Sequence, residues 1–241
     1  MIELNALSCH FDGKSVLENI SLKIESHLSI LGANGSGKST FAKSLCNLVT
    51  FEGEIKLNSH NVKELSLKQR AKLISYIPAK LEVYDPYIEL FEFVLLGRFA
   101  YKKSFFEYTQ KDKEIALKYL QLLNIEHLKN HTLHSLSSGE QQLALIASAL
   151  AQESDIIILD EPTANLDPYN SRVIAQHIKA LQKSHQVILI THDLHLASFI
   201  NSPVLFFKDT QANFYQNGFF KNDVLHKLYG VEFDDLAVKY E

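Results

Sequence analysis

Short apolar runs separated by polar turns mark the first and last thirds of the chain. Residues 1–31 alternate between apolar and polar positions as strands do, with a turn at 12–14. Apolar runs of strand length also lie at 74–77, 156–159 and 187–190, and stretches with helical spacing follow the last two. This alternation predicts an α/β fold: a mainly parallel sheet with an N-terminal antiparallel β portion. Further strand or helix patterns lie at 53–57, 204–207 and 222–228.

The middle of the chain has a different pattern. Between residues 88 and 150 the segments are longer and mix charged with apolar residues, and the spacing over 111–124 favours a helix. We therefore predict a single domain over 1–241. Its core is formed by 1–87 and 151–241, and 88–150 is an inserted helical subdomain.

Composition narrows the class of protein. Of 241 residues, 46% are hydrophobic, as in a globular protein, and 24 basic against 28 acidic residues leave a net charge of −4. The excess of basic residues that is typical of nucleic-acid-binding proteins is therefore not present. Cys9 and Cys46 are too few for a disulfide framework, so we expect buried thiols. We expect neither a signal peptide nor a membrane-spanning helix, which needs about 18 apolar residues in a row; another chain would have to span a membrane.

A phosphate-binding loop is the strongest chemical signal. The stretch 32–40 fits the pattern of a glycine, four residues and Gly-Lys-Ser, and it lies between an apolar strand and a stretch with helical spacing. Such a loop turns backbone N–H groups and a helix N-terminus toward phosphate oxygens. A glycine-rich turn with a chance lysine is the alternative. The predicted nucleotide-binding residues are Gly32, Asn34, Gly35, Ser36, Gly37, Lys38, Ser39 and Thr40.

Within this loop, Lys38 would bring its charge to the β- and γ-phosphates, and the Ser39 hydroxyl would coordinate Mg²⁺. The predicted helix spans 38–49. Its spacing places Phe41, Leu45 and Leu48 on one face.

Acidic residues end a later strand. The run 156–159 leads into Asp160 and Glu161, and the run 187–190 leads into Thr191 and His192. Ligands bind where the carboxyl ends of parallel strands meet. We expect Asp160 to hold Mg²⁺, Glu161 to polarise the attacking water, and His192 to keep Glu161 and the water in line. Solvated surface acids and an ordinary surface histidine are the alternatives.

The stretch 136–142, Leu-Ser-Ser-Gly-Glu-Gln-Gln, precedes an apolar helix. With it the chain resembles an ABC-family ATPase, whose signature is usually written Leu-Ser-Gly-Gly-Gln. The resemblance implies ATP and Mg²⁺ as cofactors and a head-to-tail dimer with a second copy of the chain. In that dimer the signature of one copy completes the ATP site of the other. The signature residues are Ser137, Ser138, Gly139 and Glu140. A plain capping box, Ser137 with Glu140, is compatible with this interpretation.

The resemblance extends over nearly the whole chain. Phe11 resembles the aromatic residue that stacks on adenine, with core packing as the alternative, and Asp167 resembles the acid of the D-loop at the dimer interface. Stretches 92–101, 149–152 and 223–231 are similar to ATPases of importers for iron–siderophore complexes, haem and cobalamin.

The importer resemblance implies a polytopic membrane permease as partner and, indirectly, a substrate-binding protein. The expected location is the cytoplasmic face of the inner membrane, with no nucleic-acid partner. Another cargo, a non-transport ABC ATPase, and a simple kinase or GTPase are the alternatives. A surplus of aromatic residues between 83 and 108 suits docking of a permease helix. They are Tyr84, Tyr87, Phe91, Phe93, Phe99, Tyr101, Phe105, Phe106 and Tyr108.

Two positions depart from the family pattern. Ser138 replaces the first glycine of the signature, a mild change because serine suits a helix start. Ala79 stands where the family's Q-loop glutamine contacts Mg²⁺ and senses the membrane partner, and no glutamine occurs between Tyr76 and Arg98. We expect hydrolysis to survive at a changed rate, because Glu161 and His192 are present.

Overall fold

The computed structural model describes residues 1–11, 13–81, 85–102, 107–208 and 210–230. The strands are β1 (Ile2–Phe11), β2 (Lys14–Ile24), β3 (Leu28–Gly32), β4 (Glu52–Leu57), β5 (His60–Asn61), β6 (Ile74–Ile77), β7 (Ile156–Asp160), β8 (Gln186–Ile190), β9 (Val204–Lys208) and β10 (Gln211–Tyr215). The helices are α1 (Lys38–Leu45), α2 (Leu67–Leu73), α3 (Leu90–Leu96), α4 (Gln110–Leu122), α5 (Ser138–Ala151), α6 (Pro168–Leu181), α7 (Leu194–Ile200) and α8 (Asn222–Tyr229). Short 3₁₀ turns lie at Gly97–Tyr101, Glu126–Leu128 and Leu133–Ser135.

Two sheets organise the fold. The larger has the order β10-β9-β3-β8-β7-β6, and every neighbouring pair is parallel except β9 with β10. The smaller is antiparallel, in the order β2-β1-β4-β5. The expected class, a mainly parallel α/β sheet with an N-terminal antiparallel portion and helices between, is confirmed.

The central strands β3, β7 and β8 are mainly apolar and buried because both faces of the parallel sheet are covered. On β7, Ile157 and Leu159 pack into a core shared with α3, α4 and α5, whereas Ile156 and Ile158 pack toward α1 and the antiparallel sheet. Helices between 88 and 150 thus share a core with one face of the sheet. The division into 1–87, 88–150 and 151–241 stays a prediction.

The first predicted helix is shorter than expected. It ends at Leu45, with Cys46 as its C-cap and Asn47 at a positive φ of 49°, so Leu48 leaves the apolar face and is 57% exposed. The prediction that Leu48 shares a face with Phe41 and Leu45 is therefore wrong. Cys9 and Cys46 are buried free thiols, as predicted.

Some elements had no sequence prediction. The helix α2 has no fully buried residue, and its apolar pattern is weak. It begins at a capping box in which Ser66 and Gln69 bond reciprocally. The strand β10 pairs with β9 at the edge of the sheet, where an apolar run is not required. Among the described residues, no helix has both the length and the apolar character needed to cross a bilayer.

A buried arginine ties together the helices between 88 and 150. The Arg98 guanidinium donates to Asp112 Oδ1 at 3.1 Å, to the Ala151 carbonyl at 2.7 Å and to Glu153 Oε2 at 2.7 Å. It also stacks on the Tyr101 ring at 3.9 Å. These contacts fix the 3₁₀ turn after α3 against α4 and the end of α5.

We expect Asp112→Asn to lower the free energy of unfolding by about 2–4 kcal/mol at pH 7, because it leaves a buried guanidinium with less counter-charge. Burial favours a raised pKa at Asp112, but hydrogen bonds from the Thr109 hydroxyl and N–H and from Arg98 outweigh it, and the pKa is lowered. The carboxylate therefore stabilises the fold above its unfolded-state pKa, and this contribution is lost as the pH falls through the lower folded value.

Urea unfolding at several pH values measures this difference. The difference in the free energy of unfolding between wild type and Asp112→Asn should stay constant above about pH 5 and become smaller below about pH 4. Glu114→Gln, an exposed change on the same helix, serves as the control and should cost less than about 0.5 kcal/mol. A gap that does not depend on pH would contradict the assignment.

Candidate functional site

The predicted phosphate loop leaves the end of a wholly buried strand. At Gly32, the last residue of β3, φ is +146°, and a Cβ there would lie 2.5 Å from the Phe207 carbonyl oxygen of the neighbouring strand β9. A side chain would therefore collide with backbone. The loop then exposes Ala33, Asn34 and Gly35 before Gly37 caps α1.

Lys38 begins α1 and folds back over the loop. Its Nζ donates to the carbonyl oxygens of Gly32 at 2.8 Å and Ala33 at 2.9 Å. Burial lowers the pKa of this amine, and the nearby charges of Glu161 and Asp160 partly offset that effect. An ammonium has three N–H donors, so the described contacts leave one for a phosphate oxygen.

A cavity of about 390 Å³ opens above the loop. It is lined by Val16 of β2, by Asn34, Gly35 and Gly37–Thr40, and by Glu161. Lys38, Ser39 and Glu161, predicted from separate motifs, thus share one cavity. Among the described residues that line it, none comes from the signature stretch 137–140.

Asp160 is the last residue of β7 and is 3% exposed. Its Oδ2 accepts a hydrogen bond of 2.7 Å from the Tyr76 hydroxyl, while its Oδ1 is buried without a hydrogen-bond partner among the described residues. Burial and the Asp160 contact raise the pKa of Tyr76 far above neutrality, so the hydroxyl keeps its proton and donates.

The donor set suits Mg²⁺. Magnesium is usually held by one or two protein oxygens together with waters and substrate phosphates, rather than by a protein cage. The unpartnered Oδ1 of Asp160 is a buried oxygen of the required kind, and the described residues hold no cluster of three or more His, Cys, Asp or Glu that would form a cage. The residues present therefore fit a cation shared with a nucleotide.

Glu161 and His192 meet, as the sequence predicted. His192 Nδ1 lies 2.9 Å from Glu161 Oε2, and the His192 N–H donates to the same oxygen at 3.3 Å. The glutamate is 17% exposed, whereas the imidazole is mostly open to solvent. Asp193 anchors the histidine loop by capping α7, and its own N–H donates to Thr191 Oγ1. The contacts with His192 thus fix Oε2 of Glu161, and the Glu161 side chain also lines the cavity.

The signature residues form the start of α5. The Ser137 side chain accepts from the Glu140 N–H, and the Ser137 N–H and hydroxyl donate to Glu140 Oε2 at 2.8 and 2.7 Å. These bonds, first that from the hydroxyl, lower the pKa of Glu140. The predicted capping box is present, and Ser137 and Ser138 are exposed to solvent at this helix end.

The remaining predicted residues lie elsewhere on the surface. Asp167 caps α6 by accepting a hydrogen bond from the Asn170 N–H at 2.9 Å, and its contacts with Asn170 lower the pKa of Asp167. Phe11 ends β1 with 43% of its surface exposed, so core packing does not explain it.

The predicted aromatic docking residues are divided between core and surface. Phe91, Phe93 and Tyr108 pack against the core, whereas Tyr87 and Phe99 are exposed. Tyr84, Phe105, Phe106 and Val231 lie outside the described residues.

Sequence reasoning missed two residues. The Tyr76 hydroxyl contacts Asp160, a contact that the strand order β6–β7 would have revealed but the sequence does not give. Asn170 lies against Gly139: a Cβ on that glycine would stand 2.7 Å from the amide, whose Nδ2 also donates to Asp167. The sequence did offer one signal for Asn170: it is an amide residue three positions after the predicted D-loop acid, and such side chains often form local hydrogen bonds.

Fold and site together define a P-loop ATPase. The family model for the ABC transporter matches residues 17–164. An uncharacterized ABC transporter ATP-binding protein of Haemophilus influenzae is 34% identical over 220 residues, covering 90% of this chain and 83% of the relative. The chain belongs to the ABC transporter ATP-binding family, and it is an ATPase.

Two further matches add detail. A Helicobacter pylori protein named a probable iron chelatin transport ATP-binding protein is 33% identical over 215 residues, covering 87% of this chain and 84% of its own length. A solved ATP-binding cassette, dimeric and bound to ADP and Pi in a post-hydrolysis state, has a TM-score of 0.76 and 28% identity. It covers 91% of this chain and 100% of that one.

Proposed function

We propose that this ATPase powers an importer for metal chelates of the iron–siderophore, haem or cobalamin type. ATP lies in the cavity above the phosphate loop, and Phe11 stacks on the adenine. Lys38 binds the phosphates, and Ser39 and Asp160 would hold Mg²⁺, which would supply positive charge against the phosphates. Glu161, oriented by His192 at 2.9 Å, accepts the proton of the attacking water.

The observation that carries the ATP-driven part of this proposal, an ATP site completed by a second copy of the chain, is the composition of the cavity wall. One chain supplies the phosphate loop and Glu161, but the signature residues are not among the described lining residues. Ser137 and Ser138 are exposed at the start of a 14-residue helix, where N–H groups and the helix dipole favour an anion. A second copy placed head to tail brings this helix end to the γ-phosphate, with Asp167 beside it. ATP is then enclosed between two chains, and hydrolysis removes the charge that holds them together.

The cargo proposal is supported by the iron chelatin relative and by the stretches 92–101 and 149–152. In a strain lacking this gene, uptake of a radiolabelled ferric siderophore should fall to background. The wild-type gene should restore uptake and Lys38→Ala should not. Normal ferric siderophore, haem and cobalamin uptake in the deletion strain would refute the cargo, while leaving the ATPase assignment intact.

We further propose that the chain works at the cytoplasmic face of the membrane by docking on a permease. The candidate surface lies on α2, the end of α3 and the following 3₁₀ turn, with exposed Leu67, Leu96 and Phe99. Lys68 Nζ of α2 donates a 2.9 Å hydrogen bond to the carbonyl oxygen of Lys102, the residue that follows this turn. A neighbouring cavity of about 260 Å³, lined by Leu48, Leu67 and Tyr76, continues the apolar surface.

This surface fits a short amphipathic helix of the permease, because apolar anchors in such grooves carry most of the binding energy. We expect Phe99→Ala to weaken co-purification with the co-expressed permease at least about tenfold, since an aromatic anchor contributes 2 kcal/mol or more. ATP binding by the isolated chain should not change.

Phe214→Ala is the matched control. Phe214 is also exposed, but it lies on β10 at the opposite edge of the parallel sheet from β6. Equal loss of permease with both variants, or with neither, would contradict docking at Phe99.

A further inference from the structure

We propose that Tyr76 is a positioning residue for the divalent cation of ATP hydrolysis: its hydroxyl fixes one oxygen of Asp160 so that the other is presented to the cation. This inference rests on the proposed use of Asp160 as a metal ligand. It concerns a residue that has no predicted role in the nucleotide site.

Strand register explains how the contact forms. β6 and β7 are parallel, and Tyr76 is paired with Ile158, two residues before Asp160. Since side chains alternate along a strand, Tyr76, Ile158 and Asp160 point to the same face of the sheet. Asp160 is therefore a diagonal neighbour of Tyr76 on the adjacent strand, and a long aromatic side chain can span that separation. Tyrosine supplies both that reach and a polar tip, and its hydroxyl stands 2.7 Å from Asp160 Oδ2.

The contact divides the carboxylate into two unlike oxygens. Oδ2 is occupied by the Tyr76 hydroxyl, whereas Oδ1 is buried and has no hydrogen-bond partner among the described residues. A buried carboxylate oxygen left unsatisfied is costly, and a cation is the ligand that suits it. Because rotation of the carboxylate would break the Tyr76 bond, the bond favours the orientation in which Oδ1 is available.

The neighbouring loop makes this role more important here. Ala79, three residues after Tyr76, has no side-chain oxygen that could orient or hydrate a cation. Carboxylate ligands are generally held by a hydrogen-bonded partner, and loss of such a partner typically lowers metal affinity about 10- to 100-fold. The described structure provides one such partner for Asp160, and it comes from β6.

Manganese provides a direct test, because bound and free Mn²⁺ are distinguished by electron paramagnetic resonance. With AMP-PNP present, we expect Tyr76→Phe to weaken Mn²⁺ binding about tenfold. The affinity for AMP-PNP in EDTA should equal that of wild type. Tyr101→Phe removes a hydroxyl that bonds the Glu153 carbonyl far along the chain, so it serves as the matched control and should leave Mn²⁺ affinity unchanged.

A double-mutant cycle separates positioning from general packing. In an Asp160→Asn background, Tyr76→Phe should cause less than about a twofold further loss of Mn²⁺ affinity, since the two residues act through one contact. Unchanged Mn²⁺ affinity in Tyr76→Phe, an equal loss of metal-free nucleotide affinity, or additive effects in the cycle would each overturn the inference. Wild-type chain that binds no Mn²⁺ with nucleotide would instead refute the proposed metal site itself.

Discussion

Replacing Lys38 with alanine should weaken ATP binding at least about 100-fold, because truncating one partner of a buried charge pair costs 2–5 kcal/mol. The Lys38 ammonium is buried at the start of α1 and lies over the phosphate loop, where its remaining donor meets the nucleotide. Hydrolysis should fall below detection at millimolar ATP. Isothermal titration with ATP in EDTA measures the binding loss without the metal.

Lys43→Ala is the matched control, since Lys43 is exposed on the same helix and carries the same charge. It should bind ATP as wild type does. Burial lowers the pKa of Lys38, which means that burying the charged amine is unfavourable for folding. Lys38→Ala should therefore not reduce thermal stability. ATP affinity within threefold of wild type for Lys38→Ala would contradict the placement of the phosphates.

The second large effect is expected at Glu161. Glu161→Gln should slow ATP hydrolysis by about 10²–10⁴-fold, the usual contribution of a general base, while ATP binding persists. Glutamine keeps the size of the side chain and can still contact His192, so the loop geometry is preserved. A single-turnover assay of phosphate release, with bound ATP measured in parallel, separates the two steps.

Glu64→Gln removes an exposed carboxylate elsewhere and should leave the rate unchanged. A rate for Glu161→Gln within about fivefold of wild type would show that another group accepts the proton. In that case the 2.9 Å contact between His192 and Glu161 would be structural rather than catalytic.

Much of this site could be predicted from sequence because each part is local. The phosphate loop depends on a strand, a glycine-rich turn and a helix that follow one another, and the acids 160 and 161 follow an apolar run directly. The sequence also placed Glu161 and His192 each after an apolar strand, and the structure adds that these strands, β7 and β8, are adjacent. In such motifs, residues that are consecutive in the sequence determine the local geometry of the site.

What the sequence missed depends on contacts between distant segments. Tyr76 meets Asp160 because β6 lies at the edge beside β7, and Asn170 meets Gly139 because α6 packs on α5. The early end of α1 depends on the backbone at Asn47, where a positive φ stops the helix before Leu48. Apolar spacing reports none of these features, since the two contacts depend on tertiary packing and the helix end depends on local backbone conformation.

The most direct test of the proposed head-to-tail arrangement is the mass of Glu161→Gln in solution, measured by sedimentation with and without Mg-ATP. We predict a species near the chain mass of 27.4 kDa without nucleotide and one of twice that mass with it. Adding Ser137→Ala should weaken the dimer about 100-fold, since two sites each lose a bond to a charged group. Ser66→Ala, which removes an equivalent cap from α2, should not weaken it. A monomer at saturating ATP, or a dimer indifferent to Ser137, would contradict the account.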